Sequence, residues 1–102
     1  MSSGAQSGGG PRSTQNRGPL EVVLFGKEGC HLCDAVEAEI RALKEVGFTL
    51  TVVDIDRNPA SLARYLIRVP VVTVGGREVF EAKMMDRKGE WKARLQSLLR
   101  GR

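Results

Sequence analysis

The most informative stretch of the sequence is Gly29-Cys30-His31-Leu32-Cys33-Asp34, which contains both cysteines of the chain. An apolar run at residues 20–25 precedes it and a segment with helical periodicity follows it, which predicts a strand, a loop and a helix start. Cys30 would then lie at the helix N-terminus, where unpaired backbone N–H groups and the helix dipole favour an anion. A thiol in such a motif typically titrates at about 3.5–7.5 instead of about 8.5, so we expect a nucleophilic thiolate at Cys30.

The second cysteine follows the first by one helical turn. Cys33 is therefore placed to attack whatever Cys30 binds, which is typical of a pair that alternates between a dithiol and a disulfide. Two other interpretations stay open at this point. A closed structural zinc site needs four ligands, and the only further soft ligand is His31 in the same loop. Free cysteines are also common in protein cores, where they have no chemical role.

Length and composition indicate one small globular domain. The chain has 102 residues, of which 41% are hydrophobic and 27% charged, as in ordinary globular proteins. No apolar run approaches the roughly 20 residues of a membrane span, so we expect no membrane partner. Two cysteines do not form the framework of a secreted scaffold, and no apolar leader is visible, so we expect a cytoplasmic protein.

The charge of the chain is mildly positive, with 16 Lys and Arg against 12 Asp and Glu and a formal net charge of +4. The basic residues are scattered, aromatic residues are few and no nucleic-acid-binding motif is present. We therefore expect no nucleic-acid partner. A positive surface would favour encounters with acidic partners.

The N-terminal residues 1–18 are rich in Ser, Gly, Gln and Pro and lack apolar periodicity, which predicts a disordered tail. The folded domain is predicted to span residues 19–100. Its first strand, residues 20–25, contains consecutive apolar side chains, which is typical of a central strand covered on both faces.

The segment after the cysteines has the pattern of an amphipathic helix. Its inward-facing positions are spaced three or four apart, namely Leu32, Val36, Ile40, Leu43 and Val46. Gly47 is the expected end of this helix. Residues 48–54 then alternate as a strand does, so the strand, helix and strand form a right-handed unit with two parallel strands.

The second half of the domain is predicted to contain a helix, a hairpin and a last helix. Asn58 and Pro59 are typical of a helix start, and this helix is predicted over residues 59–66. Gly75 and Gly76 join the β-rich runs 68–74 and 77–81, which predicts a hairpin. The last helix is predicted over residues 88–99. The inward-facing side chains of these helices are Leu62, Tyr65, Leu66, Trp91, Leu95, Leu98 and Leu99.

The resulting order β-α-β-α-β-β-α predicts an α/β fold, a three-layer α/β/α sandwich with a four-stranded mixed sheet. This order, with CxxC before the first helix, resembles the thioredoxin fold. Within that fold the chain is similar to the short bacterial glutaredoxin-like family over about residues 20–99. The matching pieces are Leu24-Phe25-Gly26-Lys27, the CxxC stretch, Val53-Asp54-Ile55-Asp56, Tyr65-Leu66-Ile67-Arg68-Val69-Pro70-Val71 and Val79-Phe80.

The resemblance implies a small thiol–disulfide oxidoreductase that reduces protein or mixed disulfides. Cys30 would be the attacking thiol and Cys33 the resolving one. Pro70 would follow a cis peptide bond beside the sulfurs, and the backbone of Val69 would pair with an extended substrate or with glutathione. An ordinary proline at the start of a strand is the alternative for Pro70.

Two further residues are candidates for the site. Lys27 stands where glutaredoxins carry a lysine that stabilises the thiolate and meets a carboxylate of glutathione, with an ordinary solvated lysine as the alternative. His31 lies between the cysteines, where a cationic ring would stabilise a Cys30 thiolate. We expect no metal ligands among these residues.

The resemblance implies no bound cofactor, glutathione as a co-substrate, and a monomer. Its partners would be a disulfide-containing protein or a glutathione mixed disulfide, together with a reductant that is either glutathione or a reductase. The sequence after Phe80 lacks the Gly-Gly that holds glutathione in dithiol glutaredoxins, so the electron donor stays open. A second hypothesis is a non-catalytic binding module of the same fold whose cysteines hold a metal, with both cysteines supplied twice across a dimer.

Overall fold

The order of helices and strands agrees with the sequence-based prediction. A computed structural model describes residues 20–43 and 47–100, and the predicted tail at residues 1–18 lies outside these. The elements are β1 (Leu20–Gly26), α1 (His31–Arg41), β2 (Phe48–Asp54), α2 (Pro59–Tyr65), β3 (Val71–Val74), β4 (Arg77–Glu81) and α3 (Trp91–Arg100). Two short 3-10 turns, Ile55–Arg57 and Ala82–Met84, follow β2 and β4.

The four strands form one mixed sheet in the order β2-β1-β3-β4, so β1 is a central strand as predicted. It pairs in parallel with β2, from Leu20 opposite Phe48 to Gly26 opposite Asp54. β3 pairs antiparallel with β1 and with β4. The ends of β1 and β2 therefore meet the start of β3 at one end of the sheet, where the CxxC motif follows β1.

The apolar core lies on both faces of the sheet, which makes the three layers that the sequence predicts. On one face α1 and α3 cover the strands, and the buried side chains are Val22, Leu24, Val36, Ile40, Leu43, Val72, Phe80, Trp91, Leu95 and Leu99. On the other face α2 and the turn after β2 bury Ile55, Tyr65 and Val71. Strand β1 contributes to both faces because its successive side chains point in opposite directions.

The hairpin forms where the sequence predicts it. Gly75 and Gly76 have φ values of 59° and 85°, and two consecutive positive φ angles are what the tightest hairpin turns require. β3 nevertheless begins at Val71 instead of residue 68. Pro70 before it has no N–H with which to extend the ladder.

The first helix is shorter than predicted. α1 ends at Arg41 and does not reach Gly47. The chain tightens after Arg41, where the N–H of Leu43 donates to the carbonyl oxygen of Ile40 at 3.1 Å. Leu43 is buried as predicted, although it lies beyond the helix. Its spacing therefore predicted its burial correctly and the length of the helix wrongly. Val46, the last predicted position of the stripe, lies outside the described residues.

The buried face of α1 also differs from the prediction. Leu32 was predicted to face inward, but it is 50% exposed. The buried positions are Cys33, Val36 and Ile40, which are themselves spaced three and four apart. Cys33 therefore takes the first core position of the helix, and Leu32 lies on the surface beside it.

Three details of the later helices were predicted wrongly. Leu66 is exposed because α2 ends at Tyr65. Leu98 is also exposed, because the buried face of α3 is narrow. The buried side chains of α3 are spaced by four, at Trp91, Leu95 and Leu99. α3 begins at Trp91 instead of residue 88. The carboxylate of Asp86 accepts the N–H of Trp91 at 2.7 Å there, which satisfies one of the donors that a helix start leaves unpaired.

Candidate active site

Cys30 lies at the junction between the central strand and the first helix. β1 ends at Gly26, a four-residue loop follows, and Cys30 is the N-cap of α1 with extended backbone angles. The Sγ of Cys30 accepts the backbone N–H of Cys33 at 3.1 Å. An N–H donor and a helix N-terminus both stabilise negative charge on this sulfur.

Cys33 is the buried member of the pair. Its side chain is 5% exposed, whereas Cys30 is only partly buried. The two residues form a disulfide, with their Cα atoms 5.2 Å apart. The two sulfurs therefore differ in access. A bulky disulfide can reach Cys30, whereas Cys33 is too buried to meet one and contacts Cys30 instead.

Gly26 makes room for the buried sulfur. A Cβ atom at this position would lie 3.1 Å from both the Cβ and the Sγ of Cys33, which is closer than ordinary van der Waals contact. Gly26 is not among the residues that the sequence predicts for the site. A glycine ending an apolar strand directly before a CxxC loop was the available signal, because glycine in a strand often marks a close approach.

The side chains of the predicted loop residues form no bonds to the cysteines. The carbonyl oxygen of Lys27 accepts the N–H of Cys30 at 3.3 Å, so its backbone shapes the loop. The side chains of Lys27 and His31 are exposed, and within the described residues neither forms a hydrogen bond or an ion pair. The roles that the resemblance gives them stay predictions.

The proline segment reaches the same end of the sheet from the other side. Val71, the first residue of β3, lies opposite Phe25 near the end of β1, so Val69 and Pro70 come next to the CxxC loop. The Val69–Pro70 peptide bond is cis. Pro70 is buried and Val69 half-buried. The fold thus gathers every predicted site residue at one end of the sheet.

A groove on the β2 side opens toward the buried cysteine. Its volume is about 370 Å³, and charged side chains from the loop, α1 and the end of β2 line it beside Cys33: Lys27, Glu28, Asp34, Glu37, Asp54 and Arg57. Sequence reasoning missed this groove because its walls come from three separate segments. It gives water and small ions a route toward Cys33.

Exposed apolar side chains lie on two of the segments that meet at this end of the sheet. Leu32 follows the N-cap, and Leu66 and Ile67 form the turn before Val69. Leu66 is 51% and Ile67 92% exposed. Burying apolar surface is the main favourable term in protein association, so these side chains suit contact with an apolar part of a substrate.

Two other kinds of site are absent from residues 20–43 and 47–100. No three His, Cys, Asp or Glu side chains there come together as a metal-binding group. No helix in the same residues is long and apolar enough to cross a membrane.

The fold and the site define a class, a thioredoxin-fold protein with a CxxC pair at the start of its first helix. A thioredoxin from Halobacterium salinarum NRC-1, solved in a mutant form, is similar with a TM-score of 0.53 and 21% identity, over 80% of this chain and 76% of that one. This similarity shows the fold. The family is shown by the sequence: residues 21–99 match the glutaredoxin-like domain (DUF836), so the chain belongs to that family. No curated protein sequence matches the chain.

Proposed function

We propose that the protein is a thiol–disulfide oxidoreductase in which Cys30 attacks and Cys33 resolves. The observation that carries this proposal is the asymmetry of the pair. Cys30 is accessible and its Sγ accepts the N–H of Cys33, while Cys33 is buried directly behind it. An activated outer thiol with a protected inner one is what sequential disulfide exchange needs.

The reduced enzyme would work in two displacements. The Cys30 thiolate attacks one sulfur of the substrate disulfide, forming a mixed disulfide and releasing the other substrate sulfur as a thiolate. Cys33 then loses its proton to water in the groove and attacks Cys30 Sγ, which releases the second substrate thiolate and forms the Cys30–Cys33 disulfide. Two electrons pass to the substrate, and an external thiol returns them to the enzyme.

Two features support a polypeptide as the substrate. Leu32 next to Cys30 is exposed, as are Leu66 and Ile67 in the turn before Val69, and exposed apolar side chains favour protein contacts. The resemblance adds the backbone of Val69 as a partner for an extended chain. A disulfide-bonded protein is therefore the preferred substrate, with a glutathione mixed disulfide as the second choice.

The electron donor is either glutathione, acting as a co-substrate, or a reductase. Lys27 and His31 are exposed beside the cysteines, and their positive or potentially positive side chains would attract the carboxylates of glutathione or an acidic reductase surface. A reducing compartment such as the cytoplasm suits a pair that must be reduced after each turnover. We propose that the enzyme acts there as a monomer.

Replacing each cysteine separately tests the assignment of roles. Cys30→Ser should abolish reduction of a disulfide-bonded peptide, because the attacking sulfur is gone. Cys33→Ser should still attack and should accumulate the mixed disulfide, which mass spectrometry of the unreduced protein would detect. Full activity in both variants, or a mixed disulfide trapped on Cys33 in the Cys30→Ser variant, would contradict the assignment.

The metal-holding module stays a prediction with a separate test. A single chain provides only the two cysteine sulfurs in its described part, so such a site would need a second copy. Metal content of the reduced protein, measured across its monomer and any dimer, would distinguish this hypothesis from the proposed enzyme.

A further inference from the structure

The side chain of Arg68 joins the turn before the proline to the edge of the sheet. Its Nε donates to Glu81 Oε1 at 3.1 Å, and its Nη2 forms a short ion pair with Glu78 Oε1. The guanidinium also lies 5.5 Å from the centre of the Tyr65 ring. Although 32% of the side chain is exposed, three partners from two elements fix its position.

Electrostatics agree with this geometry. The hydrogen bond from Arg68 is the main reason that the pKa of Glu78 lies below its ordinary value, and partial desolvation opposes it. The hydrogen bond from Arg68 to Glu78, and to a smaller extent the one to Glu81, raises the pKa of Arg68. Arg68 and Glu78 are therefore both charged at neutral pH. Arg68 suits this arrangement because its planar fork can bond two acceptors at once.

A bulge in β4 brings the two glutamates to one face. Residues three apart on a regular strand point to opposite faces. Glu81 lies opposite Val71 and Glu78 opposite Thr73, with a register shift between these pairs that leaves Val79 as the extra residue. The extra residue shifts by one the alternation of β4 side chains between the two faces of the sheet. Both carboxylates consequently share the face that carries Tyr65 and Arg68.

The backbone of Arg68 is held as firmly as its side chain. Its N–H donates to the carbonyl oxygen of Tyr65 at 2.8 Å, and its carbonyl oxygen accepts the N–H of Ala82 at 3.3 Å. The next two residues are Val69 and Pro70, which lie at the end of the sheet that carries the cysteines. Any movement of Arg68 would therefore be passed directly to this segment.

We propose that Arg68, held by Glu78 and Glu81, is a positioning residue that keeps the Val69 backbone and the Leu66–Ile67 turn in the geometry that binds a polypeptide substrate. This inference rests on the proposed function and adds a residue to it. Arg68 touches neither sulfur, so its effect is on substrate binding and not on the chemistry of Cys30. Surface ion pairs by themselves contribute little to stability. Positioning of the Val69 segment therefore explains the ion pairs of Arg68 with Glu78 and Glu81 better than stabilisation of the fold does.

The test uses single-turnover oxidation of the reduced full-length protein by two probes. One is a disulfide-bonded peptide of about ten residues, and the other is bis(2-hydroxyethyl) disulfide, which is too small to pair with Val69. Arg68→Gln should raise the half-saturating peptide concentration roughly tenfold and leave the maximum rate unchanged, since loss of a positioning contact affects binding first. The rate with the small disulfide should stay at the wild-type value.

Three further variants complete the design. Arg77→Gln removes the same charge from β4, where no described partner is lost, and should behave as the wild type. Arg68→Lys should fall between the wild type and Arg68→Gln, because an ammonium cannot reproduce the fork. Glu78→Gln removes one of the two anchors and should give a smaller rise of the same kind, so it serves if Arg68→Gln does not fold.

The outcomes separate this inference from the proposed function. A wild-type protein that reacts with neither probe would contradict the oxidoreductase itself. A reactive wild type combined with an unchanged half-saturating peptide concentration in Arg68→Gln and Glu78→Gln would overturn the positioning role alone. Equal losses with both probes would also overturn it, because they would show a general structural effect.

Discussion

Gly26 is the residue whose packing bears most directly on the buried cysteine, which is the resolving thiol in the proposed function. Because a Cβ at this position would lie 3.1 Å from Cys33 Sγ, Gly26→Ala must push the buried sulfur or the end of β1 aside. Overpacking of this kind costs about 1–3 kcal/mol of folding free energy. The misplaced sulfur should also resolve more slowly, while attack by Cys30 proceeds at its normal rate.

The measurement for Gly26→Ala is the lifetime of the mixed disulfide in rapid-quench experiments with a peptide disulfide. We expect the intermediate to last roughly ten times longer than in the wild type. Gly47→Ala is the matched control, since nothing lies within 4 Å of a Cβ there. Identical lifetimes in the wild type and Gly26→Ala would show that the packing does not position Cys33.

At the scale of single residues, the sequence could predict where the cysteine pair lies but not the packing around it. The place of Cys30 and Cys33 at the start of α1 could be predicted because it follows from local spacing and helix periodicity, and their reactivity stays a prediction. The contact between Gly26 and Cys33 could not be predicted, because it depends on how closely β1 and α1 approach. The exposure of Leu32 has the same origin, since rotating a helix by one residue changes which side chain meets the core.

At the scale of elements, the start of α3 depends on Asp86. Desolvation alone would raise the pKa of this carboxyl, but hydrogen bonds from the backbone N–H groups of Trp91 and Glu90 outweigh it and leave the pKa below its ordinary value. A carboxylate whose pKa is lowered by folding stabilises the protein at neutral pH. That contribution is lost as the pH falls through the lowered value.

Asp86→Ala should therefore lower the melting temperature by roughly a few degrees at pH 7, because the N–H groups of Glu90 and Trp91 lose their carboxylate acceptor. The difference from the wild type should shrink toward zero below the ordinary pKa of aspartate, 3.8. Thermal unfolding followed by circular dichroism from pH 7 to pH 2 checks both parts. A difference that is independent of pH would show that the charge of Asp86 is not involved.

The boundaries of elements were harder to predict than their order. The alternation of residues 48–54 and the two glycines of the hairpin are local signals, and both elements formed as predicted. The end of α1 was wrong because Leu43 is buried whether or not it is helical. The pairing of Arg68 with β4 could not be predicted, since it needs the bulge at Val79 to bring Glu78 and Glu81 to one face.

At the scale of the whole molecule, the fold brings together segments that are far apart in the sequence. The loop after β1, the start of α1 and the segment before β3 converge because the central strand has β3 as its antiparallel neighbour. Topology could be predicted from the order of elements and the resemblance, and the strand order and the similarity to a thioredoxin confirm it. The charged groove beside Cys33 has walls from separate elements, so only the folded structure could show it.

The most direct test of the proposed chemistry is a redox titration of the metal-free protein in glutathione buffers of graded potential. Samples would be quenched with an alkylating agent and weighed by mass spectrometry to count free thiols and glutathione adducts. We predict one reversible step that converts both thiols into the Cys30–Cys33 disulfide, at a potential of about −200 to −270 mV. If no intramolecular disulfide forms at any accessible potential, the protein is not the oxidoreductase proposed.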